Sequence, residues 1–179
     1  MANLTFLFFF ITVLFAVIGS LRGWAKELLV TFSIILSIFI IAILQSLIPD
    51  LLKQLTPAGT QAYFWLRAAI MIILVFFGYQ TPNIPKLGGA RFARERLQDI
   101  LLGFFLGAVN GFLLAGTMWF YMKEANYPFK DFILPPDPND PFTASAVRLL
   151  PWLAPAWLKG NMLFVVIALA FVFIIVVFI

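Results

Sequence analysis

The stretch Leu28–Ile48, LLVTFSIILSIFIIAILQSLI, contains no Asp, Glu, Lys or Arg along its whole length. A helix needs about 20 mostly apolar residues to cross the hydrocarbon core of a bilayer, so this stretch predicts a transmembrane helix. Pro49 and Asp50 follow directly and predict the end of that helix.

Apolar runs of similar length continue on both sides of this stretch. Hydrophobic residues make up 63% of the chain and charged residues 11%, whereas a soluble domain is about 25% charged. This composition excludes a water-soluble globule, a disordered chain and a coiled coil. The sequence predicts an all-α fold, a polytopic membrane helix bundle of about five transmembrane helices. The other four runs are Leu4–Leu21, Ala62–Tyr79, Ile100–Met122 and Met162–Ile179.

The connections between the runs divide the chain into three parts. Residues 1–122 are predicted to form a four-helix membrane core, 123–161 a Pro-rich extramembrane or interfacial segment, and 162–179 an additional C-terminal transmembrane helix. The first connection, residues 22–27, is so short that the helices on either side must be neighbours in an antiparallel hairpin.

The later connections differ in their turn residues. Residues 50–61 contain Pro57 and Gly59 and predict a plain loop. Residues 134–141 are rich in proline, which disfavours helix and sheet. Residues 143–158 contain two tryptophans among leucines and prolines. Because tryptophan favours the membrane–water interface, we expect Trp152 and Trp157 to lie at the membrane surface.

The distribution of basic residues predicts the orientation in the membrane. No Lys or Arg precedes the first run, so we expect a retained helix with its N-terminus outside, not a cleaved signal peptide. The first and third connections are short and dense in basic residues, which places them in the cytoplasm by the positive-inside rule. These residues are Arg22, Lys26, Lys86, Arg91, Arg94 and Arg96.

The chemistry available to the chain is narrow. It has no Cys and no His, which excludes disulfides, thiolate and imidazole metal sites and Ser–His or Cys–His nucleophiles. The spans contain no carboxylate, so a proton relay lacks its usual groups. We expect no enzymatic activity, no cofactor and no metal. We expect the basic residues behind the net charge of +4 to set the orientation in the membrane and to contact anionic lipid head groups, not to bind nucleic acid.

A stripe of small residues runs along the fourth span. Gly103, Gly107, Gly111 and Ala115 are spaced by four and therefore share one face of a helix. Small residues let helix backbones approach closely in lipid, where the hydrophobic effect does not drive helices together. We favour packing within this chain over a face for a second copy or another subunit.

Several polar residues lie within the runs, and four of them are considered for a role. Asn110 is interpreted as an interhelical hydrogen-bonding residue in preference to a contact for a polar substrate. Ser33 and Ser37 could face Asn110, but we expect them to bond carbonyls of their own helix. Arg67 is a functional candidate by position, although beside Tyr63 we expect it to extend to the interface.

Two motifs suggest a family. Residues 19–27, GSLRGWAKE, resemble the signature of the colicin V production protein (CvpA) family, in which a glycine, an Arg-Gly pair and a Lys/Arg-Glu pair join the first two helices. Residues 97–103, LQDILLG, followed by Gly107 and Gly111, are similar to the aspartate and glycine series of the family's fourth helix. Residues 145–153 resemble a further stretch more loosely. The resemblance covers residues 5–157, and the fifth span departs from it.

The resemblance implies a small bacterial inner-membrane protein, needed for colicin V production or export in some hosts and tied to envelope functions. It implies no established biochemical activity and no catalytic residue. Its glycines would let the hairpin turn and the helices approach. The carried-over residues, all with structural roles, are Gly19, Arg22, Gly23, Lys26, Glu27, Asp99, Gly103, Gly107 and Gly111.

A cytoplasmic charge cluster follows from the proposed topology. Arg22 or Lys26 should approach Asp99, and Glu27 should approach an arginine of the segment that follows the third connection. As an exposed pair this would contribute about 0–1 kcal/mol. The cluster is Arg22, Lys26, Glu27, Arg91, Arg94, Glu95, Arg96 and Asp99.

Two classes of function remain open at this point. One is a stand-alone membrane protein for secretion or envelope maintenance. The other is an accessory subunit of a larger respiratory or photosynthetic complex, which the fifth span and the 22 phenylalanines favour. Expected partners are membrane lipids and either a second copy of the chain or other membrane subunits.

Overall fold

The computed structural model describes residues 2–80, 93–130, 132–141 and 143–178. It is a bundle of α-helices, as predicted. Within the described residues, four helices are long and apolar enough to cross a bilayer, which makes this a membrane protein. The helices are α1 (Leu4–Arg22), α2 (Trp24–Leu47), α3 (Pro49–Leu55), α4 (Gln61–Tyr79), α5 (Ala93–Glu124), α6 (Ala144–Leu149), α7 (Ala154–Trp157) and α8 (Asn161–Phe178).

Two of the long helices, α1 and α4, begin at residues whose side chains cap them, and a glycine separates α1 from α2. The Asn3 side chain accepts a hydrogen bond from the Thr5 N–H at 2.8 Å and caps α1. Thr60 caps α4 by accepting from the Tyr63 N–H at 3.3 Å. Gly23 ends α1 and begins α2 at φ +87°, a conformation that favours glycine.

The core lies between α1, α2, α4 and α5. The most extensive interface is between α1 and α5, and α2 contacts both α4 and α5. The largest fully buried side chains include Trp119, Ile34 and Met71. The bundle therefore buries one face of each long helix and leaves apolar side chains outward, as expected where the surrounding solvent is lipid.

Two boundaries differ from the sequence predictions, and a third agrees with them. The spacing of Arg91 and Glu95 by four predicts that the third connection ends in a helix, and helix α5 begins at Ala93 and continues for 32 residues, about 48 Å. The plain loop predicted at 50–61 begins as α3, since Pro49 fits the first helical position. Leu134 pairs in a two-residue parallel strand, Ile133–Leu134 against Ala2–Asn3, because the prolines begin only after it.

The segment before the last helix folds back against α5. It contains α6, a 3₁₀ turn at Leu150–Trp152 and α7. Leu153 is fully buried and packs against Gly116 of α5. A Cβ added to Gly116 would lie only 3.1 Å from the Leu153 Cδ2. Trp152 and Trp157 are 71% and 47% exposed, which suits the predicted interfacial position.

Helix α8 packs against α2 and leaves most of its surface open. The Phe171 ring meets the Phe32 ring at 4.8 Å, and the Phe164 ring meets the Phe39 ring at 5.5 Å. Its apolar part within the described residues, Asn161–Val176, is shorter than the four spanning candidates. That α8 crosses the membrane stays a prediction.

Candidate functional site

The small-residue stripe of α5 lies against α1 of the same chain. Gly19 has no Cβ. A Cβ added there would lie 2.8 Å from the Gly107 Cα and even closer to the carbonyl oxygen of Gly103. A Cβ on Gly111 would meet the Thr12 Cα at 2.8 Å. Distances below 3.0 Å leave no room for a side chain, so these backbones are in direct contact. Ala115 continues the stripe and is buried.

This contact brings the α1–α2 turn onto the start of α5. A Cβ on Gly23 would lie 2.7 Å from the Asp99 Oδ1. Gly23 has no side chain with which to cap α2, and the Trp24 N–H instead donates to the Asp99 Oδ1 at 3.2 Å. A carboxylate from a distant helix thus serves as the N-terminal cap of α2.

Glu27 is completely buried at the centre of this region. The Arg22 Nη1 donates to its Oε1 at 2.6 Å, and the Asn110 Nδ2 donates to its Oε2 at 2.8 Å. The same Asn110 nitrogen donates to the Glu27 carbonyl oxygen at 2.9 Å, and the Thr31 hydroxyl donates to the Asn110 Oδ1 at 2.6 Å. Each carboxylate oxygen is therefore hydrogen-bonded, which a buried charge requires.

Arg22 extends this network to α4. Its Nη2 donates to the Tyr79 carbonyl oxygen at 3.2 Å, and its guanidinium lies 4.1 Å from the centre of the Tyr79 ring. Four helices thus meet at one polar cluster, which we call the hairpin junction. Its residues are Gly19, Arg22, Gly23, Glu27, Tyr79, Asp99, Gly103, Gly107 and Asn110.

The junction corrects two sequence predictions. Glu27 was expected in an exposed pair, and the spans were expected to lack carboxylates. Helix α2 begins at Trp24, so Glu27 falls in its first turn and faces α5, where the glycine contact leaves no access for water. The interhelical bond predicted for Asn110 is present, but its partner is this carboxylate.

Three further members of the predicted charge cluster lie at the surface or partly buried. Glu95 and Arg96 are exposed, and Lys26 is half-buried. Arg91 and the side chain of Arg94 lie outside the described residues, so a pair between Glu27 and either arginine stays a prediction. Ser33 and Ser37 donate to the Leu29 and Ile34 carbonyl oxygens, which confirms the interpretation of both serines.

A second ion pair, between a buried arginine and a partly exposed carboxylate, lies at the opposite end of the bundle. Arg67 was expected to extend to the interface, but only 5% of it is exposed. Its guanidinium donates to Glu124 and to the Tyr63 hydroxyl, and it lies 3.7 Å from the centre of the Tyr63 ring. Arg67 stays inside because Glu124 ends α5 beside it. Sequence reasoning missed this pair, although a carboxylate directly after an apolar span was the available signal.

An apolar cavity of about 450 Å³ separates α1 from α4. Phe8, Phe15, Val75 and Trp119 are among its lining residues. Cavities of this volume and polarity accept small apolar ligands. No cluster of three or more His, Cys, Asp or Glu side chains that could hold a metal occurs among the described residues.

The hairpin junction can fix helix positions. Hydrogen bonds to the Glu27 and Asp99 carboxylates join α1, α2 and α5, and Arg22 adds α4 by donating to the Tyr79 carbonyl oxygen. Comparisons of the chain with protein-family models, with curated proteins and with solved structures find no match.

Proposed function

We propose that the protein is a small membrane protein of the CvpA type in the bacterial inner membrane, which acts in colicin V production or export and in envelope maintenance. It acts by helix–helix association and not by catalysis. One observation carries the proposal: the two segments that resemble the family, residues 19–27 and 97–111, pack against each other and form the hairpin junction.

This convergence supports the resemblance because the two motifs are far apart in the chain. Asn110, which lies between Gly107 and Gly111 of the second motif but is not part of it, bonds Glu27 of the first motif across 83 positions. Gly19 and Gly23 contact Gly107 and Asp99 in the same way. If the two sequence matches were due to chance, there would be no physical reason for the matched segments to lie in contact. Contact between them is expected if both belong to one packed unit.

The proposed role follows from what such a unit does mechanically. Glycine contacts and a fully hydrogen-bonded buried ion pair fix four helices in one arrangement. The outer face stays apolar and suits lipid or another membrane protein. The function would then lie in presenting this fixed bundle to secretion or envelope machinery.

Complementation tests this proposal. The chain is expressed in a bacterium that lacks its own CvpA protein and carries the colicin V genes, and secreted colicin V is measured as killing of a sensitive strain. We expect secretion to be restored by the chain and by the lipid-facing variant Phe105→Leu, but not by Gly107→Leu. Unrestored secretion despite normal membrane levels of the chain would contradict the proposal.

The alternative is an accessory subunit of a respiratory or photosynthetic complex, and the open surface of α8 favours it. Phe164, Leu169 and Val172 are 56%, 63% and 59% exposed on a helix whose main contact is α2. Purification in mild detergent followed by mass spectrometry separates the two functions. Stoichiometric recovery of respiratory or photosynthetic subunits would support the alternative.

A further inference from the structure

Two cavities flank the buried Arg67 at the end of the bundle where α4 begins and α5 ends. The first, about 270 Å³, lies between α2, α3 and α4 and has mainly apolar walls, among them Leu44, Leu52 and Ile70. The second, about 380 Å³, lies between α2, α5 and the turn before α8. Arg67 lines both cavities, so they adjoin at a buried cation, and we call the two cavities together the cleft.

The charges that line this cleft are mostly positive. Lys53 lines the first cavity, Lys159 lines the second, and Arg67 lies between them. Glu124 is the acidic lining residue, and it is already bonded to Arg67. A guanidinium has five N–H donors in a planar fork, so it can hold a phosphate oxygen in addition to its two partners here.

Exposed tryptophans near the cleft indicate the depth of lipid head groups. Trp65 and the two tryptophans before α8 are exposed at this end of the bundle, and exposed tryptophans concentrate at the membrane interface. Arg67 lies six residues after Gln61, the first residue of α4, which is about 9 Å into the helix. The apolar cavity extends to Ile70, nearly one turn deeper.

We propose that this cleft binds an anionic phospholipid. Arg67, Lys53 and Lys159 hold the phosphate-containing head group, and one acyl chain occupies the apolar cavity between α2, α3 and α4. Charge complementarity selects the head group, since each basic residue at a membrane surface attracts anionic lipid. This inference goes beyond the proposed function and does not depend on it.

Native mass spectrometry of the full chain in detergent tests the lipid site. The chain is titrated with phosphatidylglycerol and with phosphatidylcholine that carry the same acyl chains. We expect phosphatidylglycerol to bind about tenfold more tightly. The double variant Lys53→Gln/Lys159→Gln changes only exposed residues and should lower the affinity for phosphatidylglycerol by about tenfold. Unchanged melting by circular dichroism verifies its fold.

The matched control is Lys123→Gln/Lys130→Gln, which removes the same charge from exposed positions at the same end of the bundle but outside both cavities. It should leave binding within about twofold of the parent chain. An equal loss in this control would overturn the proposal, because general surface charge would then explain the binding. Equal affinity for the two lipids would overturn it as well.

Two further measurements address the acyl chain. Leu52→Trp should fill the apolar cavity and weaken phosphatidylglycerol binding, because Leu52 lies in its wall. Inorganic phosphate in large excess should not displace the lipid. If phosphate displaces it fully, or if Leu52→Trp binds as the parent does, the site holds a free anion and the proposed lipid is wrong.

Discussion

Replacing Glu27 by glutamine removes one charge from the hairpin junction and leaves its shape nearly unchanged. Glu27 is fully buried, while 18% of the Arg22 side chain remains exposed. The variant therefore leaves a largely buried guanidinium without its carboxylate. The glutamine oxygen can still accept the hydrogen bond from Asn110, but its Nε2 then faces the Arg22 Nη1, which is also a donor, so the variant loses both the ionic attraction and the hydrogen bond to Arg22.

The structure decides the expected size of this effect. Breaking a buried ion pair by removing one partner costs about 3–5 kcal/mol. Partial exposure of Arg22 and the retained bond to Asn110 reduce this, so we expect a loss of about 2–3 kcal/mol in the free energy of unfolding. An exposed pair would contribute no more than about 1 kcal/mol. The two values are far enough apart to be distinguished.

Equilibrium unfolding in mixed micelles of SDS and a mild detergent measures this free energy. A double-mutant cycle isolates the pair, with Glu27→Gln, Arg22→Gln and the combination of both. We expect a coupling energy above about 1.5 kcal/mol, with the double variant more stable than the sum of the two losses predicts. The surface variant Arg96→Gln, whose parent residue is exposed, is the matched control.

A specific result would refute the reasoning. If Glu27→Gln costs less than about 1 kcal/mol and the cycle shows no coupling, the pair behaves as an exposed one. If Glu27→Gln and Arg96→Gln lower stability equally, general charge and not the buried contact accounts for the loss. In either case the hairpin junction does not hold the helices together as described.

Three other outcomes are expected. Gly107→Leu forces a side chain into the α1 backbone and should lower the free energy of unfolding by at least about 1–3 kcal/mol. Phe105, 63% exposed, faces outward, so Phe105→Leu should leave the melting temperature in detergent nearly unchanged. A larger loss for Phe105→Leu than for Gly107→Leu would refute the contact between the glycine stripe and α1. Asp99→Ala removes the cap of α2 and should cost about 1 kcal/mol in the same assay, and no change would show that the cap is dispensable. Single cysteines at Gly89 and Asn139 report topology: an impermeant thiol reagent on intact cells should label position 139 and not 89, and the opposite pattern would invert the predicted orientation.

Much of the architecture could be predicted from local sequence. The spans of α1, α2, α4 and α5 follow from runs of apolar residues, because lipid requires each segment to satisfy its own backbone hydrogen bonds. The stripe through Gly103 to Ala115 identified the face that packs, since spacing by four places residues on one side of a helix. Both properties depend on residues a few positions apart.

The polar sites depended on the tertiary structure. Glu27 and Asn110 are 83 positions apart, and Arg67 and Glu124 are 57 apart. Periodicity along one helix carries no information about which residue of another helix will face it. The sequence therefore showed that Asn110 needed a partner and that Arg67 was costly in lipid, and only the helix packing determined that each found a carboxylate. The physical reason is that burial and ion pairing are set where distant backbones meet, as at the glycines that bring α1 and the α1–α2 turn against α5.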